Sequence, residues 1–148
     1  MTESISIPVD AESPRPDLSS VIAAADPGVR ALILGSCRAA LDLVHAYLPA
    51  TETVEAMLPT TASVTAKQTL CLMILTDRRL LFVAPAPQVV AWPLATVEHF
   101  QFVPNSAVHI TANEGKFMMG ADNTTTTAGK NFEALVKHRA AVAVLRGV

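Results

Sequence analysis

Arg78 and Arg79 follow Thr76-Asp77 between two apolar runs. A guanidinium bonds carboxylate or phosphate bidentately, so the pair could clamp an anion. The plainer role is to solvate a hairpin tip and discourage strand pairing there. Lys130 is a second cation with possible chemistry. It stands in Ala128-Gly129-Lys130 at an expected helix start, where unpaired N–H groups favour anions. A phosphate loop would need Gly at 124 and Ser or Thr at 131, and the chain has Thr124 and Asn131. Threonines that satisfy the backbone of a helix start are the alternative reading.

Catalytic chemistry needs convergent groups, and the spacing supplies none. His45, His99, His109 and His138 stand at no metal-ligand spacing, and no HExxH or His pair at i, i+4 occurs. Gly35-Ser36-Cys37-Arg38 lacks the Gly-x-Ser-x-Gly elbow and falls within an expected helix. Cys37 and Cys71 each sit in apolar surroundings, without a CxxC pair, and read as buried reduced thiols. No enzyme, metal or cofactor is therefore expected. The net charge of −2, with basic residues scattered apart from Arg78–Arg79 and Lys137–His138–Arg139, argues against nucleic acid as a partner.

These residues must be positioned by a chain of 148 residues that is 51% hydrophobic, enough for one domain with a real core. Residues 1–16, with Pro8, Pro14 and Pro16, read as a flexible arm. Residues 17–49 read as a helical extension. A short helix runs from Asp17 or Ser19 to Ala25. Asp26-Pro27 then starts a second, with a capping carboxylate and Pro at the first helical position. Val29, Ile33, Cys37, Ala40, Leu41, Val44 and Leu48 recur at three and four, which predicts one helix from Pro27 to Tyr47, stopped by Pro49. Its stripe must be covered, by the rest of the chain or by a second copy. Self-association through Val29, Ile33, Leu41 and Val44 is the expectation.

Short β-like runs fill residues 54–119: Val54–Leu58, ended by Pro59, then Thr69–Thr76, Leu80–Ala84, Val89–Leu94, His99–Val103, Ala107–Thr111 and Lys116–Met119. Phe117, Met118 and Met119 cannot all face a core, so Phe117 and Met119 join the expected interaction surface. A last helix, about Ala128 to Arg146, carries Phe132, Leu135 and Val136 on one face. The expected class is α+β: seven antiparallel strands in a sandwich or partial barrel, closed by the C-terminal helix.

No transmembrane span is expected. Leu80–Val97 lacks charge but is broken by Pro85, Pro87 and Pro93. The N-terminus also lacks the basic start and apolar run of a signal peptide, which points to the cytoplasm.

Cys71–Val83, CLMILTDRRLLFV, resembles the second and third strands of bacterial pleckstrin-homology-like domains of the YokE type, where an LTDRRLLF hairpin recurs. Trp92-Pro93-Leu94 and Val97 resemble that family's fourth strand and the segment after it. The likeness spans about residues 50–146 and makes 50–148 the domain proper. It implies a binding or scaffolding module without catalysis, with Phe132 in place of the aromatic on the closing helix. Eukaryotic relatives bind inositol phosphates through basic residues of the first hairpin. Here that loop, Ser63–Gln68, supplies Lys67 alone and lacks a Lys-x-Arg pattern. Two functions follow: a module for protein partners or self-assembly, or an anion or lipid-headgroup sensor using Lys67, Arg78 and Arg79 at a membrane surface.

Overall fold

The computed structural model describes residues 15–64, 67–85, 88–113, 115–121 and 126–146, with side chains omitted at 63, 64, 67 and 68. Three short helices come first: α1 (Pro16–Ala24), α2 (Pro27–Leu34) and α3 (Arg38–Tyr47). Seven strands follow: β1 (Val54–Val64), β2 (Lys67–Thr76), β3 (Arg79–Ala84), β4 (Gln88–Pro93), β5 (Val97–Val103), β6 (Ala107–Ala112) and β7 (Gly115–Gly120). A 3-10 turn, Leu94–Thr96, joins β4 to β5, and α4 (Thr126–Arg146) ends the described chain. The strands form one antiparallel sheet in the order β4-β3-β2-β1-β7-β6-β5.

The sheet folds over on itself. Trp92 of β4 reaches Phe117 of β7, with ring centroids 5.0 Å apart in an edge-to-face arrangement. The enclosed face buries Met73, Leu75, Leu80, Phe82, Phe100, Phe102 and Ile110. α4 lays Phe132, Val136, Ala140 and Ala143 onto that interior. Gly129 lets the helix approach closely, because a Cβ there would stand 2.1 Å from the Phe102 ring.

Strands β2 and β3 are buried on both faces. Cys71, Met73, Leu75, Leu80 and Phe82 face the interior, while Leu72, Ile74, Leu81 and Val83 face α1–α3. Double coverage explains why TLCLMILT and RLLFV read as continuous apolar runs rather than alternating ones. Cys37 and Cys71 lie in different layers: Cys37 is among the helices, and Cys71 is inside the sheet. Neither forms a disulfide.

Three expectations are corrected. The single helix Pro27–Tyr47 is two, α2 and α3, broken at Gly35–Cys37. Gly-Ser is a weak helical pair, and the Cys37 N–H bonds the Leu32 carbonyl at 2.8 Å, one residue farther back than helix geometry uses. The break keeps Val29 and Ile33 of one helix and Leu41 and Val44 of the next against one sheet face. Strand β1 does not end at Pro59 but runs to Val64. Pro59 pairs with Leu72 on one side, and β1 meets β7 only at Thr61↔Gly120, so at Pro59 no described ladder needs the missing N–H. Finally, Arg15 and Pro16 lie not in a flexible arm but against the fold. Pro16 opens α1, and Arg15 is buried.

Candidate functional site

The Arg78–Arg79 turn is where sequence chemistry and structure diverge. Thr76 organises it: its hydroxyl accepts from the backbone N–H of Arg78 (3.1 Å) and Arg79 (3.0 Å) and donates to the Glu52 carboxylate (2.5 Å). Glu52 is buried, and its carboxylate takes two parallel bonds from Arg79, Nε to Oε2 and Nη2 to Oε1, both at 2.9 Å. The Arg79 guanidinium also lies 5.2 Å from the Tyr47 ring centre and donates to its hydroxyl. Arg79 is therefore a strut from the β2–β3 turn to the α3–β1 loop, not a cation waiting for an anion. Arg78 is exposed.

A second strut stands beside the first. Arg15 donates to the carbonyls of Leu48, Pro49 and Glu52 and pairs with Asp17 at 3.0 Å. Asp17 in turn accepts from the Val54 N–H at 2.7 Å. Burial works to raise the pKa of Asp17, but the bonds from Arg15 and Val54 outweigh it and hold the carboxyl below its ordinary value. Burial likewise opposes ionisation of Glu52. The bonds from Arg79 and Thr76 prevail and hold it low too, while Glu52 pushes the Arg79 pKa up.

The expected anion set loses one member. Arg79 is committed to Glu52. Lys130 is exposed on the first turns of α4, beyond the sheet interior. The backbone of Lys67 opens β2, but its side chain lies outside the described residues. The expected interaction surface is also redistributed. Val29, Ile33, Leu41 and Val44 are covered by this chain's own strands. Phe117 and Met119 pack on the interior, while Met118, between them, is 69% exposed, as strand alternation requires.

The exposed apolar surface lies elsewhere. Val144 and Leu145, near the end of α4, are 62% and 87% exposed. Beside them a groove of about 460 Å³ runs between α4 and the start of β5. Its floor is Ala95, Val97, Phe100, Val136 and Ala140, and Glu98, His99 and Lys137 stand at its rim. A bulge between Val97 and His99 turns both Glu98 and His99 outward. Sequence reasoning missed this groove. The available signal was that α4 carries apolar residues off its Phe132 face, at Ala141, Val144 and Leu145.

Burial pushes the Cys71 thiol up to about 11, so it is protonated at neutral pH. No helix among the described residues is long and apolar enough to cross a membrane.

No protein-family model and no curated protein matches this sequence. Solved structures are similar in fold. The linker–DH/PH domains of p115-RhoGEF align over 85% of this chain and 36% of that one, at 18% identity and a TM-score of 0.50. The DH/PH domains of PDZ-RhoGEF, crystallised with activated RhoA, align over 85% and 39% at 15% identity and a TM-score of 0.49. A C-terminal domain of an unknown protein from Leishmania infantum aligns over 69% and 92% at 10% identity and 0.47. The first of these, with the seven-stranded antiparallel sheet and its closing helix, shows a PH-like fold, here preceded by a helical layer. The chain spans little more than a third of the two RhoGEF structures.

Proposed function

We propose that this chain is a non-catalytic, cytoplasmic binding module that holds an apolar segment of a protein partner in the groove between α4 and β5. One observation carries the reading: Val144 exposes a large aliphatic side chain at the edge of an apolar channel, and the next residue, Leu145, is also exposed. Burying such side chains in a partner gains roughly 1.5–3 kcal/mol each. The rim offers both signs, Glu98 and Lys137, which suits orientation of a polypeptide better than capture of an anion. The headgroup-sensing alternative loses support with Arg79 tied to Glu52.

The test places a photo-crosslinking side chain at Ala141, on the groove wall, in the native host. A discrete adduct is expected that disappears when Val144→Asp and Leu145→Asp are added, at unchanged melting temperature. Persistence of the same adduct in that variant would overturn the groove as the binding face.

A further inference from the structure

The open edge of the sheet at β4 has an unusual symmetry. Among the described residues β4 pairs with β3 alone, from Arg79↔Pro93 to Ala84↔Gln88. The phase of that ladder follows from one bond: the Leu94 N–H donates to the Arg78 carbonyl at 3.2 Å, one step beyond Arg79↔Pro93. An antiparallel ladder alternates, so Leu80–Trp92, Phe82–Val90 and Ala84–Gln88 are the hydrogen-bonded pairs. Val89 and Ala91 then turn their N–H and C=O groups to the open edge. Pro93 shares that phase, so its missing N–H costs the β3 ladder nothing.

We propose that β4 is a self-association edge, on which two copies pair their β4 strands antiparallel about a two-fold axis at Val90. In that register Val89 of one copy exchanges both backbone bonds with Ala91 of the other, and the axis repeats the exchange. Val90 faces Val90, and Gln88 faces Trp92. Pro93, three residues from the axis, has no N–H to turn outward and so ends the seam. Charge agrees with a second copy as the occupant. No charged residue occurs from Leu80 to Val97, so the edge lacks the lysines that usually guard one, and an identical strand brings none. Val89, Val90 and Ala91 are half-buried, with apolar surface left for the seam to cover. A seam this short buries less than the ~800 Å² per partner of a standard interface, so the pair dissociates at about micromolar concentration or above.

This edge is distinct from the α4 groove, and the two readings stand or fall separately. Sedimentation of the full chain from about 1 μM to about 1 mM should show the mass rising from 15.6 kDa towards twice that value. Val90→Cys should form a disulfide-linked dimer under mild oxidation. Gln88→Cys should not, because its twin lies across the axis at roughly 13 Å, beyond disulfide reach. Ala91→Pro removes an outward N–H and should hold the chain at monomer mass. If that variant misfolds, the cysteine pair decides. Val144→Asp with Leu145→Asp should leave the mass rise intact. A monomer throughout, equal crosslinking at 88 and 90, or loss of the dimer in the α4 variant would each overturn the proposal.

Discussion

Arg78 and Arg79 are neighbours with opposite fates, and the difference is Glu52. The glutamate lies 27 residues from Arg79 in sequence and takes its guanidinium fork on a buried carboxylate. Removing Arg79 strands that carboxylate without its partner, and breaking such a pair costs about 3–5 kcal/mol. Arg78 reaches into solvent, where a substitution costs within about 0.5 kcal/mol. Urea unfolding of Arg79→Ser and Arg78→Ser should therefore separate two residues that the sequence presents as a pair. Equal losses would mean that the Glu52 strut carries no weight. The same scale explains the thiols: alternation sends the Cys71 side chain inward from β2, while Cys37 packs on the outward face and its thiol donates to the Cys71 carbonyl at 3.7 Å, so the two sulfurs lie on opposite faces.

At the scale of elements, the two helical layers hold the sheet by different means. The α1–α3 layer joins it through an apolar stripe and the two polar struts. α4 joins it through Phe132, Val136, Ala140 and Ala143, and through a close approach at Gly129. Alanine is the better helix former by about 1 kcal/mol, so Gly129→Ala would stabilise an isolated helix. Here the added methyl collides with the buried Phe102 ring, and overpacking costs about 1–3 kcal/mol. The expected net result is a lower melting temperature, checked by calorimetry. A rise would mean that α4 does not seat against β5. Another arginine, Arg139 on α4, stands 2.6 Å from Glu55 of β1 at an angle outside hydrogen-bond geometry, and ties the closing helix to the first strand.

For the whole molecule, the polar struts make the helical layer sensitive to acid. Asp17 and Glu52 are held below their ordinary pKa values in the folded chain and return to about 4 when it unfolds. Below that value the unfolded chain binds protons that the folded chain refuses. The stabilisation is therefore complete above about pH 5 and is lost as pH falls through the folded values. Urea midpoints should drop between about pH 5 and about pH 3, and Glu52→Gln, less stable at neutral pH, should show a shallower drop. An equally steep drop in that variant would place the acid sensitivity elsewhere.

Local pattern was enough for the seven strands, the closing helix and the hairpin at Thr76-Asp77, because turn chemistry and apolar periodicity act over a few residues. The continuous apolar runs of β2 and β3 even carried the sign of double coverage. Pattern erred where distant chain decides. One stripe read as one helix, because nothing local required a break at Gly35. Val29, Ile33, Leu41 and Val44 read as a surface for another molecule, because periodicity shows that a stripe must be covered and not by what. Arg79 read as a solvated tip residue or an anion ligand, because its partner is 27 residues away. Which cations are spent on internal carboxylates, which apolar faces remain open and which strand forms an edge are matters of long-range pairing, and only the tertiary structure decided them.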